Sequence, residues 1–253
     1  MDLDLEGQIV AVTGAGSGIG RAIATLLAAQ RARVFVVDRA AEGLATLTGT
    51  HPTIRSWVAD LTDRAAAASW IADVEQAAGA PVEVLVNNAG GSLGQVPQDF
   101  VQVSDADWDS ILDINLNAAF ALCRAVVPGM RRAGRGRIIN IGSRAGSHAS
   151  LHGVQAYTAA KHALAGLTRQ LAADLGPHGI TVNYVAPGLV RTNPARDRQW
   201  ESYGEAGQNA MLSRIGLRRL GTAEEIAKVV AFLASDLASF VNGVVLPVDG
   251  GHA

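Results

Sequence analysis

Short apolar runs alternate along the chain with longer segments in which apolar residues recur every three or four positions. The short runs are rich in Val and Ile, which is typical of buried parallel strands, and the longer Ala- and Leu-rich segments are typical of helices. The pattern predicts seven strands, at 8–13, 33–37, 54–59, 83–87, 136–142, 180–186 and 243–248. It predicts six helices between them, at 18–31, 41–48, 63–79, 105–133, 155–177 and 223–235.

This alternation predicts an α/β fold, a Rossmann-like doubly wound parallel sheet of about seven strands with helices on both faces. The connections contain no Ser-, Pro- or Gly-rich linker, so we expect residues 1–253 to form a single domain. One stretch, 191–215, carries polar and aromatic residues without a clear period. An insertion of that length is usually a lid or a disordered segment, and we expect a lid over the substrate.

The composition narrows the classes of ligand. The chain is 49% hydrophobic and 17% charged, with a net charge of −2 and a predicted pI near 6.3. This balance favours small molecules over nucleic acid or an anionic membrane. The single Cys123 excludes an intrachain disulfide framework, and the six scattered histidines predict no metal site. The amino terminus is acidic and no apolar run approaches the ~20 residues that span a bilayer, so we expect a cytoplasmic protein.

A glycine-rich turn follows the first predicted strand. Its sequence does not fit the common G-x-G-x-x-G pattern of dinucleotide sites, but it fits T-G-x-x-x-G-x-G from Thr13 to Gly20. Such a turn lets the backbone approach a pyrophosphate at the amino end of the next helix. The residues of this turn that are expected to hold a cofactor are Gly14, Ser17, Gly18, Ile19 and Gly20.

Asp38 ends the second predicted strand and is the residue that indicates which cofactor binds. A carboxylate there accepts hydrogen bonds from the adenosine ribose hydroxyls and repels a 2′-phosphate. Arg39 follows at once and could instead hold such a phosphate. Because Asp38 is ionised and Ser17 offers no second cation, we expect NAD, with NADP the less favoured cofactor.

Tyr157 and Lys161 lie one helical turn apart and so share a helix face. A free tyrosine has a pKa of about 10, so acid/base work near neutrality needs a fall of roughly 3 units, which a neighbouring ammonium favours. The strand predicted at 136–142 is followed by Ser143. Because ligands bind at the carboxyl ends of parallel strands, this hydroxyl is expected beside the phenol.

The ordered set of motifs resembles the short-chain dehydrogenase/reductase superfamily over the full length of the chain. The motifs that carry the resemblance are the turn from Thr13 to Gly20, Asn87-Asn-Ala-Gly90, Asn115, Ser143, Tyr157 with Lys161, Pro187-Gly188, Arg219-Leu-Gly-Thr and Val248-Asp-Gly-Gly251. Proteins of this superfamily also pair the helices that correspond to 105–133 and 155–177 and form tetramers. The resemblance therefore implies a homotetramer.

The resemblance assigns a role to four residues. Tyr157 is implied to be the general acid/base, and Lys161 to bind the nicotinamide ribose and lower the pKa of the phenol. Ser143 is implied to polarise the substrate carbonyl, and Asn115 to relay protons through water to Lys161. Further cofactor contacts are implied for Asp60 and Leu61 at the adenine, for Asn87, Ala89 and Gly90 along the adenosine, and for Pro187, Gly188, Val190 and Thr192 at the nicotinamide.

The spacing of the motif departs from the family in one place. Tyr157 lies 14 positions after Ser143, where the family more often has 13. The extra residue leaves Ser147 and Ser150 as alternative hydroxyl donors, although Ser143 directly follows the strand.

The expected reaction is the interconversion of a secondary alcohol and a ketone by hydride transfer, as in an NAD-dependent dehydrogenase or carbonyl reductase. One alternative is a 3-oxoacyl-(acyl-carrier-protein) reductase, which generally uses NADPH and docks an acidic carrier through arginines. The two main docking positions fall at Gly134 and His178, although basic residues cluster nearby at Arg131, Arg132, Arg135 and Arg137. The other alternative is a catalytically silent NAD-binding sensor or scaffold.

The substrate is expected to contact Ser143, Arg144 and Tyr157. Other polar or aromatic residues in the two segments expected to wall the pocket suggest a polar or anionic substrate, such as a hydroxy acid or a sugar derivative. The alternative is that most of them are solvated loop residues. These further residues are His148, His152, Arg191, Arg196, Arg198, Trp200 and Tyr203.

Overall fold

A single sheet of seven parallel strands organises the computed structural model, which describes residues 3–94, 97–149, 154–192 and 194–252. The strands are β1 (Ile9–Thr13), β2 (Arg33–Asp38), β3 (Arg55–Val58), β4 (Val84–Asn87), β5 (Gly136–Ile141), β6 (Ile180–Pro187) and β7 (Val245–Val248). Their order across the sheet is β3-β2-β1-β4-β5-β6-β7. Successive strands run outward from β1 in one direction and from β4 in the other, so the topological switch point lies between β1 and β4. Ligands of open α/β sheets bind at the carboxyl ends of strands beside such a point.

Nine α-helices lie within the described residues. They are α1 (Gly18–Ala29), α2 (Ala41–Thr50), α3 (Arg64–Ala78), α4 (Asp105–Leu112), α5 (Ala118–Ala133), α6 (Gln155–Leu175), α7 (Pro194–Ser202), α8 (Gly204–Leu212) and α9 (Ala223–Ala234). A π-helical turn, Asp113–Asn117, joins α4 to α5. The strands and six helical regions predicted from the apolar pattern are therefore present, with end positions that differ by a few residues.

The two faces of the sheet carry separate cores, because successive side chains of a strand point to opposite faces. Val10 and Val12 of β1 pack in one core together with α1, α2 and α9. Ile9 and Ala11 of the same strand pack in the other core, which α3 and α5 cover together with the carboxyl-terminal part of α6. The fold is thus the predicted doubly wound α/β sheet.

The 191–215 segment contains two helices, α7 and α8, where the apolar pattern predicted no regular element. α7 is composed largely of polar residues and α8 has no fully buried residue among those described. Helices that touch the rest of the molecule through only a few side chains have no apolar stripe of 3.6 periodicity, so the pattern could not reveal them.

The helical stretch Asp105–Ala133 is long and apolar enough to cross a membrane by length and composition alone, with a mean hydropathy of 1.4. The stretch is not one uninterrupted apolar run, because Asp113 and Arg124 lie within it. The core helix of a globular domain passes the same test, and here Leu122, Val126 and Met130 of this stretch are buried against the sheet.

Candidate active site

A cleft of about 570 Å³ opens at the carboxyl ends of the strands. It collects residues that lie far apart in the sequence, because each follows or ends a parallel strand. The predicted site residues that line it are Gly14, Ser17, Gly18, Ile19, Asp38, Arg39, Asp60, Leu61, Ala89, Gly90, Ser143, Arg144, Tyr157, Lys161, Pro187, Gly188, Val190 and Thr192. Three others, Gly20, Asn87 and Asn115, lie behind the cleft wall and support it.

Ser143 follows β5 at the edge of the cleft, and its hydroxyl is oriented by the local backbone. The Ala145 N–H donates a hydrogen bond of 3.1 Å to Ser143 Oγ. With a lone pair of Oγ engaged in this way, the hydroxyl hydrogen remains able to point toward a ligand oxygen. The alternative Ser147 is exposed and does not line the cleft, and Ser150 lies outside the described residues.

Lys161 lies beneath Tyr157 on α6, with its Nζ 5.6 Å from the centre of the tyrosine ring. The lysine side chain is only 3% exposed. Burial disfavours the ammonium form and lowers the pKa of Lys161 to about 8. The Nζ group donates a hydrogen bond of 3.1 Å to the Ile141 carbonyl at the end of β5. The predicted acid/base pair is thus held against the strand that leads to Ser143.

Asn115 lies in the π-helical turn between α4 and α5. Its Nδ2 donates hydrogen bonds to the carbonyls of Ile111 and Gly91, at 2.9 and 2.8 Å, and its Oδ1 accepts one from the Gly91 N–H at 2.9 Å. The side chain therefore fixes the loop that follows β4 at the cleft. A π-helical turn inside an α-helix is frequent at functional sites, and here it brings the buried amide to that loop.

The glycine turn has the shape of a phosphate cradle. Gly14 and Gly18 have φ angles of +67° and +53°, which favour glycine. A Cβ at Gly18 would lie 2.8 Å from the Thr192 carbonyl oxygen, so only a glycine lets these two segments meet. Ser17 makes no side-chain capping hydrogen bond to α1 within the described residues. The amino end of α1 thus faces the cleft, and the turn fits the pyrophosphate of a dinucleotide.

The Asp38 carboxylate is fixed at the end of β2 by two backbone donors. Oδ2 accepts a hydrogen bond of 2.8 Å from the Gly16 N–H and Oδ1 accepts one of 2.9 Å from the Ala40 N–H. Arg39 is exposed and also lines the cleft. Arg21 is turned away, since its guanidinium donates to the carbonyls of Gly16 and Gly43.

Asp60 follows β3 and lines the cleft where the sequence predicts the adenine. Its Oδ1 accepts hydrogen bonds from the Thr62 N–H and hydroxyl, at 3.0 and 2.8 Å, and these bonds lower the pKa of the Asp60 carboxyl. The group is therefore ionised at neutral pH and available to an amine donor. Leu61 beside it is buried and supplies an apolar surface.

At the opposite end of the cleft, the turn after β6 approaches the carboxyl-terminal segment. The Gly188 N–H donates a hydrogen bond of 3.1 Å to the Val248 carbonyl. A Cβ at Gly188 would lie 2.8 Å from Asp249 Cα. This contact keeps Pro187, Gly188 and Val190 on the floor of the cleft, where the sequence predicts the nicotinamide.

Three residues of the site's framework were not predicted as site residues. Thr13 Oγ1 accepts hydrogen bonds of 2.9 Å from the N–H groups of Asn88 and Ala89, and Asn88 Nδ2 donates to the Thr13 carbonyl at 2.9 Å. These bonds join the glycine turn to the loop after β4. The third residue, Tyr184, lies beneath Ser143. In each case the signal was a polar side chain within or beside an apolar strand, where burial requires a hydrogen-bond partner.

The cleft contains some of the residues that were expected to contact a substrate. Arg144, Arg191, Trp200 and Tyr203 line it, together with Met211, Arg214 and His252, which were not predicted. Arg191 is paired with Asp197 at 2.6 Å. The exposed His148 and Arg198 are not among the lining residues of the described chain. His152 and the side chain of Arg196 lie outside the described part of the structure.

The expected carrier-docking positions lie away from this cleft. Gly134 ends α5 and His178 precedes β6, so both lie at the amino end of the sheet, opposite the cleft. Of the nearby cations, Arg135 pairs with Glu83 and Arg137 pairs with Asp236.

Comparisons with known proteins identify the family of this chain. A family model described as enoyl-(acyl carrier protein) reductase matches residues 14–253. The 3-oxoacyl-(acyl-carrier-protein) reductase FabG of Pseudomonas aeruginosa is 40% identical over 253 residues, which cover 98% of each chain. D-threitol dehydrogenase of Mycolicibacterium smegmatis is 38% identical over 255 residues, covering 99% of this chain and 95% of the relative.

A solved structure extends the comparison to the fold. It is of a protein described as a short-chain alcohol dehydrogenase from Sinorhizobium meliloti 1021, with a TM-score of 0.90 and 36% identity, and the match covers 99% of this chain and 98% of that one. The predictions of family and fold class are therefore confirmed. The chain belongs to the short-chain dehydrogenase/reductase superfamily, whose members are oxidoreductases that use a nicotinamide cofactor.

Proposed function

We propose that this protein is an NAD-dependent oxidoreductase that interconverts a secondary alcohol and a ketone. The observation that carries the proposal is that Ser143, Tyr157 and Lys161 line the same cleft as the glycine turn. A hydroxyl donor, a phenol and a buried ammonium are thus grouped beside a pocket that fits a dinucleotide.

The nicotinamide cofactor, when bound, supplies or accepts the hydride. The chain supplies the proton and the polar contacts. In reduction, Ser143 Oγ donates a hydrogen bond to the substrate carbonyl and Tyr157 gives its proton to the same oxygen as negative charge develops there. Lys161 stabilises the Tyr157 phenolate that remains. Asn115 relays a proton through water to Lys161, so that the phenol can be protonated again. In alcohol oxidation each proton movement is reversed.

The preference for NAD rests on Asp38. Because the carboxylate is held by two N–H groups, it cannot swing away without losing both hydrogen bonds. A 2′-phosphate in that position would meet a fixed negative charge, and Arg21 is occupied by backbone carbonyls. Arg39 remains the one nearby cation of the described cleft that could favour NADP.

A 3-oxoacyl-(acyl-carrier-protein) reductase is the second candidate, because the relative in Pseudomonas aeruginosa carries that name at 40% identity. The two main docking positions carry a glycine, Gly134, and an exposed imidazole, His178, where arginines would bind an acidic carrier, and this argues against it for the described chain. A silent NAD-binding sensor is the third candidate, and the complete set of four polar catalytic groups argues against that.

The substrate is proposed to be small and polar or anionic. Arg144 directly follows Ser143 and is partly buried in the cleft wall. Its guanidinium has no ion-pair partner among the described residues. A partly desolvated guanidinium of this kind favours a carboxylate or another oxyanion on the ligand.

The remaining expectations are also proposals. We propose one cytoplasmic NAD(P)-binding domain over residues 1–253, with 191–215 as its substrate lid. We further propose a homotetramer in which the helices at 105–133 and 155–177 pair. The exposed side of α5 carries Phe120 with the Arg124 guanidinium 5.2 Å above its ring, a surface suited to a partner. Light scattering that reported a monomer would refute the assembly.

The experiment for the reaction is a screen for NADH formation at 340 nm with NAD and a panel of alcohols. The panel should contain polyols, hydroxy acids, hydroxyacyl thioesters and sterols, each also tested with NADP. Turnover of a secondary alcohol with NAD supports the proposal. Activity confined to hydroxyacyl thioesters with NADP would favour the carrier-protein reductase, and binding of NAD without any turnover would favour the silent sensor.

A further inference from the structure

Tyr184 is a phenol inside the buried strand β6, with 0% of its surface exposed. Its neighbours in the strand are Asn183 and Val185, and the strand is covered on both faces. A buried hydroxyl without hydrogen bonds is costly, so its partners reveal what the residue does.

The partners of the phenol are backbone groups of the two proposed catalytic residues Ser143 and Lys161. The Ser143 N–H donates a hydrogen bond of 2.9 Å to Tyr184 Oη. The Tyr184 hydroxyl in turn faces two acceptors, the Ser143 carbonyl at 3.1 Å and the Lys161 carbonyl at 3.4 Å. One oxygen atom therefore joins the turn after β5 to helix α6.

The turn around Ser143 is also shaped to accommodate the phenol. A Cβ at Gly142 would overlap the Tyr184 ring, and a Cβ at Gly146 would overlap its hydroxyl. The glycines on either side of the serine thus let the ring lie directly against the turn. Tyr184 itself is not among the lining residues of the described cleft, so it acts through Ser143 rather than by touching a ligand.

The Tyr184 phenol stays protonated, so its hydrogen bonds to Ser143 and Lys161 do not change with pH. Burial raises the pKa of the Tyr184 phenol well above its usual range. The hydroxyl therefore stays a donor to the Ser143 and Lys161 carbonyls throughout the range in which the enzyme can be assayed.

We propose that Tyr184 is a positioning residue. By hydrogen bonding to both the N–H and the carbonyl of Ser143, it fixes the position of the Ser143 hydroxyl relative to Lys161. The proposal rests on the proposed function, since it takes Ser143 to be the group that polarises the carbonyl. Tyr184, a residue of β6, would then influence the rate of the chemical step without touching the substrate.

A double-mutant cycle tests the proposal with the active alcohol and NAD. Tyr184→Phe keeps the ring and removes the hydroxyl. It should lower kcat about tenfold, the change that ~1.4 kcal/mol of lost transition-state stabilisation gives, while KM for NAD stays within about twofold. In a Ser143→Ala background the same change should alter kcat less than about twofold, because the positioned hydroxyl is already gone.

Thr168→Val is the matched control, because it removes a different buried hydroxyl, on α6, which accepts a hydrogen bond from Asn140 Nδ2 and donates one to the Leu164 carbonyl. It should lower the thermal midpoint with kcat kept, which separates lost stability from lost positioning. If Tyr184→Phe does not fold, Gly146→Ala provides a second test, because its Cβ would overlap the Tyr184 hydroxyl and would lie 2.9 Å from the Lys161 carbonyl oxygen that this hydroxyl faces. It should show the same dependence on Ser143.

Two results overturn the proposal, and they are distinct from a failure of the proposed function. Unchanged kcat in Tyr184→Phe shows that the hydroxyl has no role in the chemical step. An equal tenfold loss with and without Ser143 shows that it acts elsewhere. A Ser143→Ala variant with full activity would instead refute the role given to Ser143, and the positioning proposal with it.

Discussion

The Nζ of Lys161 donates a hydrogen bond of 3.1 Å to the carbonyl oxygen of Ile141, the last residue of β5. This bond fixes a buried lysine at the end of the strand that leads to Ser143. A neutral Lys161 is favoured by burial, and its charged form is needed beside the phenol. Burying this lysine in its charged form therefore lowers the free energy of unfolding, by an amount that depends on pH.

The first prediction concerns stability. Burial lowers the pKa of Lys161 from 10.5 to about 8, so between those two pH values the unfolded chain binds more protons than the folded one. The free energy of unfolding should therefore rise with pH across that window, by about 3 kcal/mol in total, relative to Lys161→Met. Urea unfolding of both proteins from pH 7 to 10.5 measures the difference.

The exposed Lys228 provides the control for that measurement, because it is the only other lysine of the chain. The unmodified protein and Lys228→Met should show no such divergence with pH. A constant difference between the unmodified protein and Lys161→Met would show that the lysine titrates normally in the folded state.

The second prediction concerns cofactor choice. The unmodified protein should bind NAD more tightly than NADP, because the fixed Asp38 carboxylate would face a 2′-phosphate. Asp38→Ala removes that charge and should lower the preference, measured as the ratio of kcat/KM values, at least tenfold. Arg39→Ala is the matched control and should leave the NAD parameters unchanged. Equal or better kinetics with NADP in the unmodified protein would show that Arg39 decides the choice.

The third prediction concerns the substrate. If Arg144 binds an anionic group, Arg144→Gln should raise KM about tenfold for a hydroxy acid, since a hydrogen bond to a charged group contributes about 1.5–3 kcal/mol. KM for a neutral polyol and for NAD should not change. Arg198→Gln, whose side chain is exposed and outside the cleft lining, should behave as the unmodified protein. An equal rise in KM for acid and polyol would contradict the assignment.

The strands of this fold, and the polar residues at their ends, could be predicted from the sequence. The inner parallel strands are buried on both faces and are rich in apolar residues, as β1 is with every residue buried. The edge strand β3 is mostly exposed. The polar residues at strand ends, such as Asp38 and Ser143, could be predicted as site residues because the sheet topology brings strand ends together.

Other features depend on contacts that a single sequence does not contain. The 105–133 stretch was predicted as one helix, and the π-helical turn at Asn115 follows from the bond of that side chain with Gly91. Tyr184 was not predicted as part of the site, since its role arises from the close approach of β6 to the turn at Gly142. The helices of 191–215 lacked an apolar period, and none of their described residues is fully buried.

The fourth prediction concerns that segment, 191–215, as a lid. Trp200 and Tyr203 pack edge to face with ring centres 6.4 Å apart and both line the cleft. Trp200→Ala should raise KM for the substrate with little change in NAD affinity, because a lid closes over the substrate and excludes water. Amide hydrogen exchange should be fast here in the free protein and slow with cofactor and substrate bound. Equal protection in both states would mean a fixed wall.

The fifth prediction addresses the acid/base role of Tyr157, on which the proposed mechanism depends. Tyr157→Phe removes the transferable proton and leaves the ring, so NAD should bind with unchanged affinity. Turnover should fall by the ~10²–10⁴ that general acid/base catalysis contributes. Tyr203→Phe is the matched control, since it makes the same change at another tyrosine of the cleft, and it should keep most of the activity.

The most direct measurement is therefore kcat for the active alcohol with NAD in Tyr157→Phe, beside NAD affinity from fluorescence titration of the same variant. We expect a loss of at least about a hundredfold in kcat with NAD affinity unchanged. A variant that kept more than about a tenth of the rate would show that another group of the cleft transfers the proton, and would contradict the mechanism proposed for this site.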